Sequence, residues 1–163
     1  AAGWPASGEL TLGGRPIRLD GGLAASDWTR SQANRVTEWK WVSASGFLED
    51  GTSVGLNLSA QVYEDEHGHS VENALFMNGR VRRLSGVRFL VPSRPQSQRW
   101  RIESIDGNEV DLEFEPLGAR EEHTHLGLVR TDFVQPYGRF TGKVCGVDFT
   151  GLFGVVEVHL SVW

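Results

Sequence analysis

The 163 residues carry a net charge of −5, with 39 % hydrophobic and 23 % charged side chains, 20 glycines and one cysteine. That length is enough for one domain, residues 1–163, with a core of its own, and the mild acidity argues against nucleic-acid binding, which favours a basic surface. The lone Cys145 excludes an internal disulfide and a cysteine-rich zinc site, and no apolar run approaches the ~18 residues of a membrane-spanning helix.

Along the chain the dominant pattern is period two, broken by turns at short intervals, which predicts an all-β protein. Gly13-Gly14 and Gly21-Gly22 read as turn glycines, not as a phosphate loop. Only residues 24–32, with Ser26 or Asp27 as a cap, suit a short helical turn. A three-residue hairpin loop follows at Glu49-Asp50-Gly51, with Gly51 in the left-handed position. Pairing Leu48 with Thr52 sets Val42 against Leu58 and Ala44 against Leu56. The other face then carries Trp39, Trp41, Ser43, Asn57, Ser59 and Gln61. Two indoles among small polar groups are not an ordinary solvated face. They read either as aromatic core packing or as the wall of a ligand cavity inside a barrel.

His67-Gly68-His69 lies beside Glu64-Asp65-Glu66 and reads as a solvated loop. Glu72 and Asn73 open a strand that is otherwise apolar, and Asn78-Gly79 reads as a type I′ turn. Residues 80–101 hold seven arginines and no acid, while residues 102–122 hold eight acids and one arginine. This split reads as a basic patch for an anion or as neighbouring strands that neutralise each other. The hairpin at Ile105-Asp106-Gly107 favours the second. Pairing Ser104 with Asn108 sets Ile102 against Val110, Trp100 against Leu112, Arg101 against Asp111 and Arg99 against Glu113. Residues 92–98 are the most loop-like stretch, and residues 109–115 alternate without error, with Val110, Leu112 and Phe114 inward.

Glu121, His123 and His125 share one face of a strand, a spacing that presents two imidazoles to a metal. Only one acid joins them and no fourth ligand is indicated, so no metal is assigned. Cys145 reads as a small apolar group and not as a nucleophile. At the end of the chain Val156, Val158, Leu160 and Val162 share one face, and Glu157, His159 and Ser161 the other. Residues two apart on one strand lie side by side, which argues against a Ser-His-acid triad, and leaves His159 as a candidate proton donor at the barrel mouth. In all, roughly eight to ten strands suggest a closed or nearly closed antiparallel barrel, because closure removes edges.

The motifs Asp27-Trp28-Thr29-Arg30, Trp39-Lys40-Trp41-Val42-Ser43-Ala44, Gly55-Leu56-Asn57-Leu58 and Glu72-Asn73-Ala74-Leu75-Phe76 occur in that order. Asn78-Gly79-Arg80, Trp100-Arg101-Ile102, Asp111-Leu112-Glu113-Phe114 and the run from Gln135-Pro136-Tyr137 to Thr141-Gly142 continue it, and the strand from Glu157 to Trp163 ends it. Over residues 14–163 this series resembles the C-terminal half of domain-of-unknown-function family 2804. The resemblance implies a lipocalin-like (calycin-like) barrel akin to the two-lobed proteins that include carotenoid hydratases, the AttH-like group and some cyclases. It also implies an upstream half of similar size, in keeping with a chain that starts at Ala1 and has Met77 as its only methionine. The tail is less acidic than the family's usual ending, and Val144-Cys145-Gly146-Val147-Asp148 stands where an Asp-Gly hairpin is usual.

Three functional readings follow. The first is a binding module in which a hydrophobic small molecule lies against Trp39 and Trp41. Ser43, Asn57, Gln61, Asn73, Arg139 and Glu72 supply its polar contacts. The second is a cofactor-free hydratase, isomerase or cyclase with Glu72 as general acid, since a carboxyl inside a barrel keeps its proton longer. Glu72 held by Arg139 or by backbone amides is the structural alternative. The third is a lobe whose partner is another lobe or a second copy of the chain. No cofactor is implied, and the absence of a basic segment leading into an apolar stretch gives a cytoplasmic location as the expectation.

Overall fold

The computed structural model describes residues 1–30, 32 and 34–163. Alternating sequence becomes antiparallel strand almost throughout. The strands are β1 (Trp4–Ala6), β2 (Glu9–Leu12), β3 (Arg15–Arg18), β4 (Gly22–Ala24), β5 (Val36–Phe47), β6 (Ser53–Ala60) and β7 (Ala74–Met77). After them come β8 (Arg80–Arg83), β9 (Val87–Leu90), β10 (Trp100–Ser104), β11 (Val110–Leu126), β12 (Val129–Val144) and β13 (Val147–Val162). Nine of them form one sheet in the order β8-β7-β6-β5-β13-β12-β11-β10-β9, while β1-β4 and β2-β3 are separate pairs. The nine-strand sheet curls into a half-barrel in which β6 and β9 approach each other across the interior. This is the all-β barrel-like architecture that the period-two pattern predicts. Among the described residues there is no helix, and so none long and apolar enough to cross a membrane. The helical turn expected at 24–32 is not formed in residues 25–30, which are irregular, and its Ser31 lies outside the described residues.

The concave face is filled by side chains. Val42, Leu56, Leu58, Ile102, Phe114 and Phe140 are wholly buried there, and the Phe114 and Phe140 rings meet at 4.7 Å between centroids. Burying a side chain of this size contributes about 1.5–3 kcal/mol, so this face is the stabilising core. The two cavities described below are lined by residues outside this core cluster.

The first hairpin forms as expected. Val42 pairs with Leu58 and Ala44 with Leu56, Gly51 has φ 82°, and Leu48 N donates to Thr52 O at 2.9 Å. Asn78 and Gly79 turn the chain at φ 46° and 75°, which leaves Met77 opposite Arg80. The β10–β11 hairpin departs from its expected register by two residues: Ile102 faces Leu112 and Trp100 faces Phe114. The loop is widened from outside. Glu109 accepts from Ser85 N at 2.8 Å and Ser85 Oγ at 2.9 Å, and Ile105 N donates to Gly86 O at 2.9 Å. A slip of two keeps every side chain on its face, so the core assignment survives. The expected Arg101–Asp111 and Arg99–Glu113 pairs persist as diagonal contacts at 3.2 and 3.9 Å. With Arg88–Glu103 at 2.5 Å and Arg82–Glu109 at 3.5 Å, they account for the split of basic and acidic segments as mutual neutralisation.

Two irregularities let the long strands β11 and β13 stay on the core. Between Pro116 and Gly118 the β11–β12 register shifts, so Leu117 is extra and the odd-numbered Glu121, His123 and His125 inherit the face held by Val110, Leu112 and Phe114. Another shift between Phe140 and Thr141 leaves Gly151 of β13 unpaired at φ 112°. Val147 and Phe149 before it and Leu152 and Val156 after it therefore point the same way, as a bulge in a period-two strand requires. Cys145 and Gly146 make the β12–β13 turn at φ 51° and 82°; the Cys145 thiol packs half-buried against the core, and burial pushes its pKa up.

Candidate functional site

Because side chains alternate across a strand, the face of β5, β6 and β13 opposite the core carries Trp39, Trp41, Ser59 and Glu157. The N-terminal segment covers part of this face: Gly3 N donates to Ser45 Oγ at 3.0 Å, and a side chain on Gly55 would run into Ala2. What remains open is a cavity of about 530 Å³. Its floor is Trp39, Trp41, Ser59 and Glu157; its rim includes Asp27, Gln61, Tyr63, Glu72 and Trp163.

Glu157 is only 8 % exposed. Trp39 Nε1 donates to its Oε1 and Gln135 Nε2 to its Oε2, each at 2.7 Å. Trp41 Nε1 donates to Asn57 Oδ1 at 3.0 Å, and Asn57 Nδ2 donates to the Glu72 carbonyl at 3.0 Å. Asn73 accepts from Ser59 N at 2.7 Å and donates to Ser85 O at 3.0 Å. Asn57 thus ties the Trp41 indole to the Glu72 backbone, Asn73 ties β6 to Ser85, and neither lines the cavity. Gln61 and Tyr63, which do, have φ 70° and 54°, a backbone region that costs non-glycine residues of order 1 kcal/mol.

Of the residues singled out from sequence, Trp39, Trp41, Gln61 and Glu72 come together at this cavity, whereas Ser43, Asn57, Asn73, His159 and Arg139 lie outside its lining. Arg139 does not meet Glu72: it is exposed, its guanidinium stands 5.1 Å over the Phe153 ring, and it borders a separate cavity of about 230 Å³ with Glu113 and Glu115. Glu72 does not point into the barrel either. It stands at the rim, where burial first, and the charge of Asp27 second, raise the pKa of its carboxyl.

His159 is wedged between Trp39, at 4.1 Å between ring centroids, and Phe133, at 5.3 Å. Its Nε2 lies 2.9 Å from Ser161 Oγ, but its Nδ1 is 3.9 Å from Glu157 Oε1, too far for a hydrogen bond. Ser161 is 1 % exposed, and Glu157 Oε1 is taken by Trp39. The three therefore do not form a relay. Burial lowers the His159 pKa, against the opposing charges of Glu157 and Glu122.

Glu157, Asp27, Tyr63 and Trp163 were not singled out as ligand contacts from the sequence. The face shared by Glu157 and His159 was legible, but its apposition to Trp39, 118 residues away, was not.

On the extended ends of β11 and β12, Asp132 Oδ1 lies 3.0 Å from His123 Nδ1 and 3.2 Å from His125 Nε2, and Arg130 Nε donates to Oδ2. Among the described residues no group of three or more His, Cys, Asp or Glu is placed to hold a metal ion. Hydrogen bonding to His123, then His125 and Arg130, lowers the Asp132 pKa from 3.8 to about 2. The contribution to stability is full above the unfolded value of 3.8 and is lost as pH falls through about 2. With the side chain 24 % exposed, Asp132→Asn is expected to lower stability at pH 7 by about 1 kcal/mol. The difference from the parent should shrink as pH falls below 3.8 and vanish only below about pH 2, as chemical denaturation at several pH values will show.

A family model described as Domain of unknown function (DUF2804) matches residues 1–163. The chain belongs to this family. The match to DUF2804 starts at residue 1, ahead of the resemblance read over residues 14–163. No curated protein and no solved structure matches this DUF2804 chain.

Proposed function

We propose that this DUF2804 chain binds a hydrophobic small molecule in the cavity on the outer face of β5, β6 and β13. The observation that carries this reading is a space of about 530 Å³ walled by Trp39, Trp41 and Trp163. That volume lies within the ~300–1,000 Å³ of small-molecule sites, and an apolar wall with a few placed polar groups is their usual chemistry. The left-handed backbone of Gln61 and Tyr63 adds support, since strain of this kind concentrates at ligand clamps.

The neutral fluorescent probe N-phenyl-1-naphthylamine tests the reading. It should bind saturably and quench the lining tryptophans, and Trp41→Ala should weaken it at least about tenfold, equivalent to about 1.4 kcal/mol. The absence of saturable binding, or equal binding by the Trp41→Ala chain, would overturn it.

A further inference from the structure

The cavity carries more negative charge than a neutral guest needs. Asp27, Glu38, Glu72 and Glu157 line it, and no Lys, Arg or His does so among the described residues. Lys40 stands close by, but its ammonium is engaged at the rim, donating to Gln61 Oε1 and lying 3.6 Å from Glu38.

Glu157 lies deepest. Its two oxygens accept from Trp39 and Gln135, both neutral donors, and its one potential cationic partner among the described residues is His159 at 3.9 Å. Burial holds that imidazole toward its neutral form. A buried carboxylate with neutral partners alone is costly, and a cation seated nearby offsets the cost.

The indoles of Trp39, Trp41 and Trp163 and the phenol of Tyr63 share this space. Their faces are negative and attract an ammonium or guanidinium group that comes within about 6 Å. At the rim, Asp27 and Glu72 repel each other; the Ala1 ammonium, which donates to Ser26 O at 2.9 Å, offsets this only in part, and a further cation between them relieves the rest.

Resting on the binding reading above, we propose that the guest is an organic cation, an amine or quaternary ammonium group carried on an apolar body. Its charge meets Asp27, Glu72 and Glu157, and its body lies against the indoles.

Three probes of closely similar size distinguish the possibilities, each titrated by tryptophan fluorescence and by calorimetry. They are benzyltrimethylammonium, its uncharged carbon isostere neopentylbenzene, and the anion 3-phenylpropanoate. The cation is expected to bind at least about tenfold more tightly than the isostere, and the anion not at all. Asp27→Asn combined with Glu72→Gln removes two exposed charges and leaves the floor intact. It should cut the preference for the cation to less than about threefold while the isostere binds as before. Binding of the isostere as tightly as the cation, or tightest binding of the anion, overturns the cation assignment and leaves the binding reading standing. If none of the three binds at millimolar concentration, both fall. A preference that survives the double substitution undiminished overturns the assignment of the charge to Asp27 and Glu72.

Discussion

Phe140→Ala should destabilise the fold by about 3–5 kcal/mol, the range for removing a wholly buried phenylalanine. Phe140 is 0 % exposed, rests on Phe114 at 4.7 Å and belongs to a cluster with members from both flanks of the sheet. The strands around it are tied by continuous ladders from β5 through β13, β12 and β11 to β10, so the gap left by the ring cannot close by the collapse of one loop. For a domain whose total stability is of order 5–15 kcal/mol, the loss is a large fraction, and urea denaturation will register it as a lower midpoint with the slope preserved. A loss below about 1 kcal/mol would mean that the concave face is loosely filled and has room for a guest. The prediction therefore also tests the placement of the cavity on the opposite face, where truncating Trp41 should act mainly on binding.

How far this was legible from sequence depends on the range of the contact that fixes each feature. The β5–β6 hairpin was read correctly because Asp50 and Gly51 determine its loop within a few residues: Thr52 N donates to Asp50 Oδ1 at 2.8 Å. The β10–β11 hairpin had equally good turn residues, yet its register was set by Ser85 and Gly86, nearly twenty residues from the turn, which draw in Glu109 and Ile105. The bulges at Leu117 and Gly151 follow from how far three long strands must stay on one core, a property of the assembled sheet. The candidate site divides in the same way. The indoles of Trp39 and Trp41 stood out by alternation, and their polar surroundings suggested a wall. Alternation does not say which face of a curled sheet is the filled one, so the cavity was expected inside the barrel. Glu157 and Asp132 gain their partners only when β13 meets β5 and β11 meets β12.

Gly138→Ala should cost about 3 kcal/mol or more, and it should weaken the cavity as well as the fold. Gly138 has an ordinary negative-φ backbone, so the difficulty is space. A methyl group there would lie 2.0 Å from the Glu115 carbonyl oxygen and 3.0 Å from Phe114 Cε2. The first of these is backbone, in the strand to which Gly138 is paired through Pro116, and it cannot rotate away. Relief requires β11 and β12 to separate beside the Leu117 bulge, which sacrifices ladder hydrogen bonds and the packing of Phe114; overpacking of this kind costs about 1–3 kcal/mol even before the ladder is broken. Gly46 provides the control. A methyl group there would meet Leu152 Cδ1 at 2.4 Å, the far end of a flexible side chain, so Gly46→Ala should cost only about 1 kcal/mol. The functional consequence runs along β12. Gln135 lies three residues before Gly138 and donates to Glu157 on the cavity floor at 2.7 Å, so a displaced β12 leaves that carboxylate with Trp39 alone. Denaturation midpoints and probe affinity should therefore fall together for Gly138→Ala and hold nearly steady for Gly46→Ala. Equal behaviour of the two variants would show that β12 does not couple the core to the site.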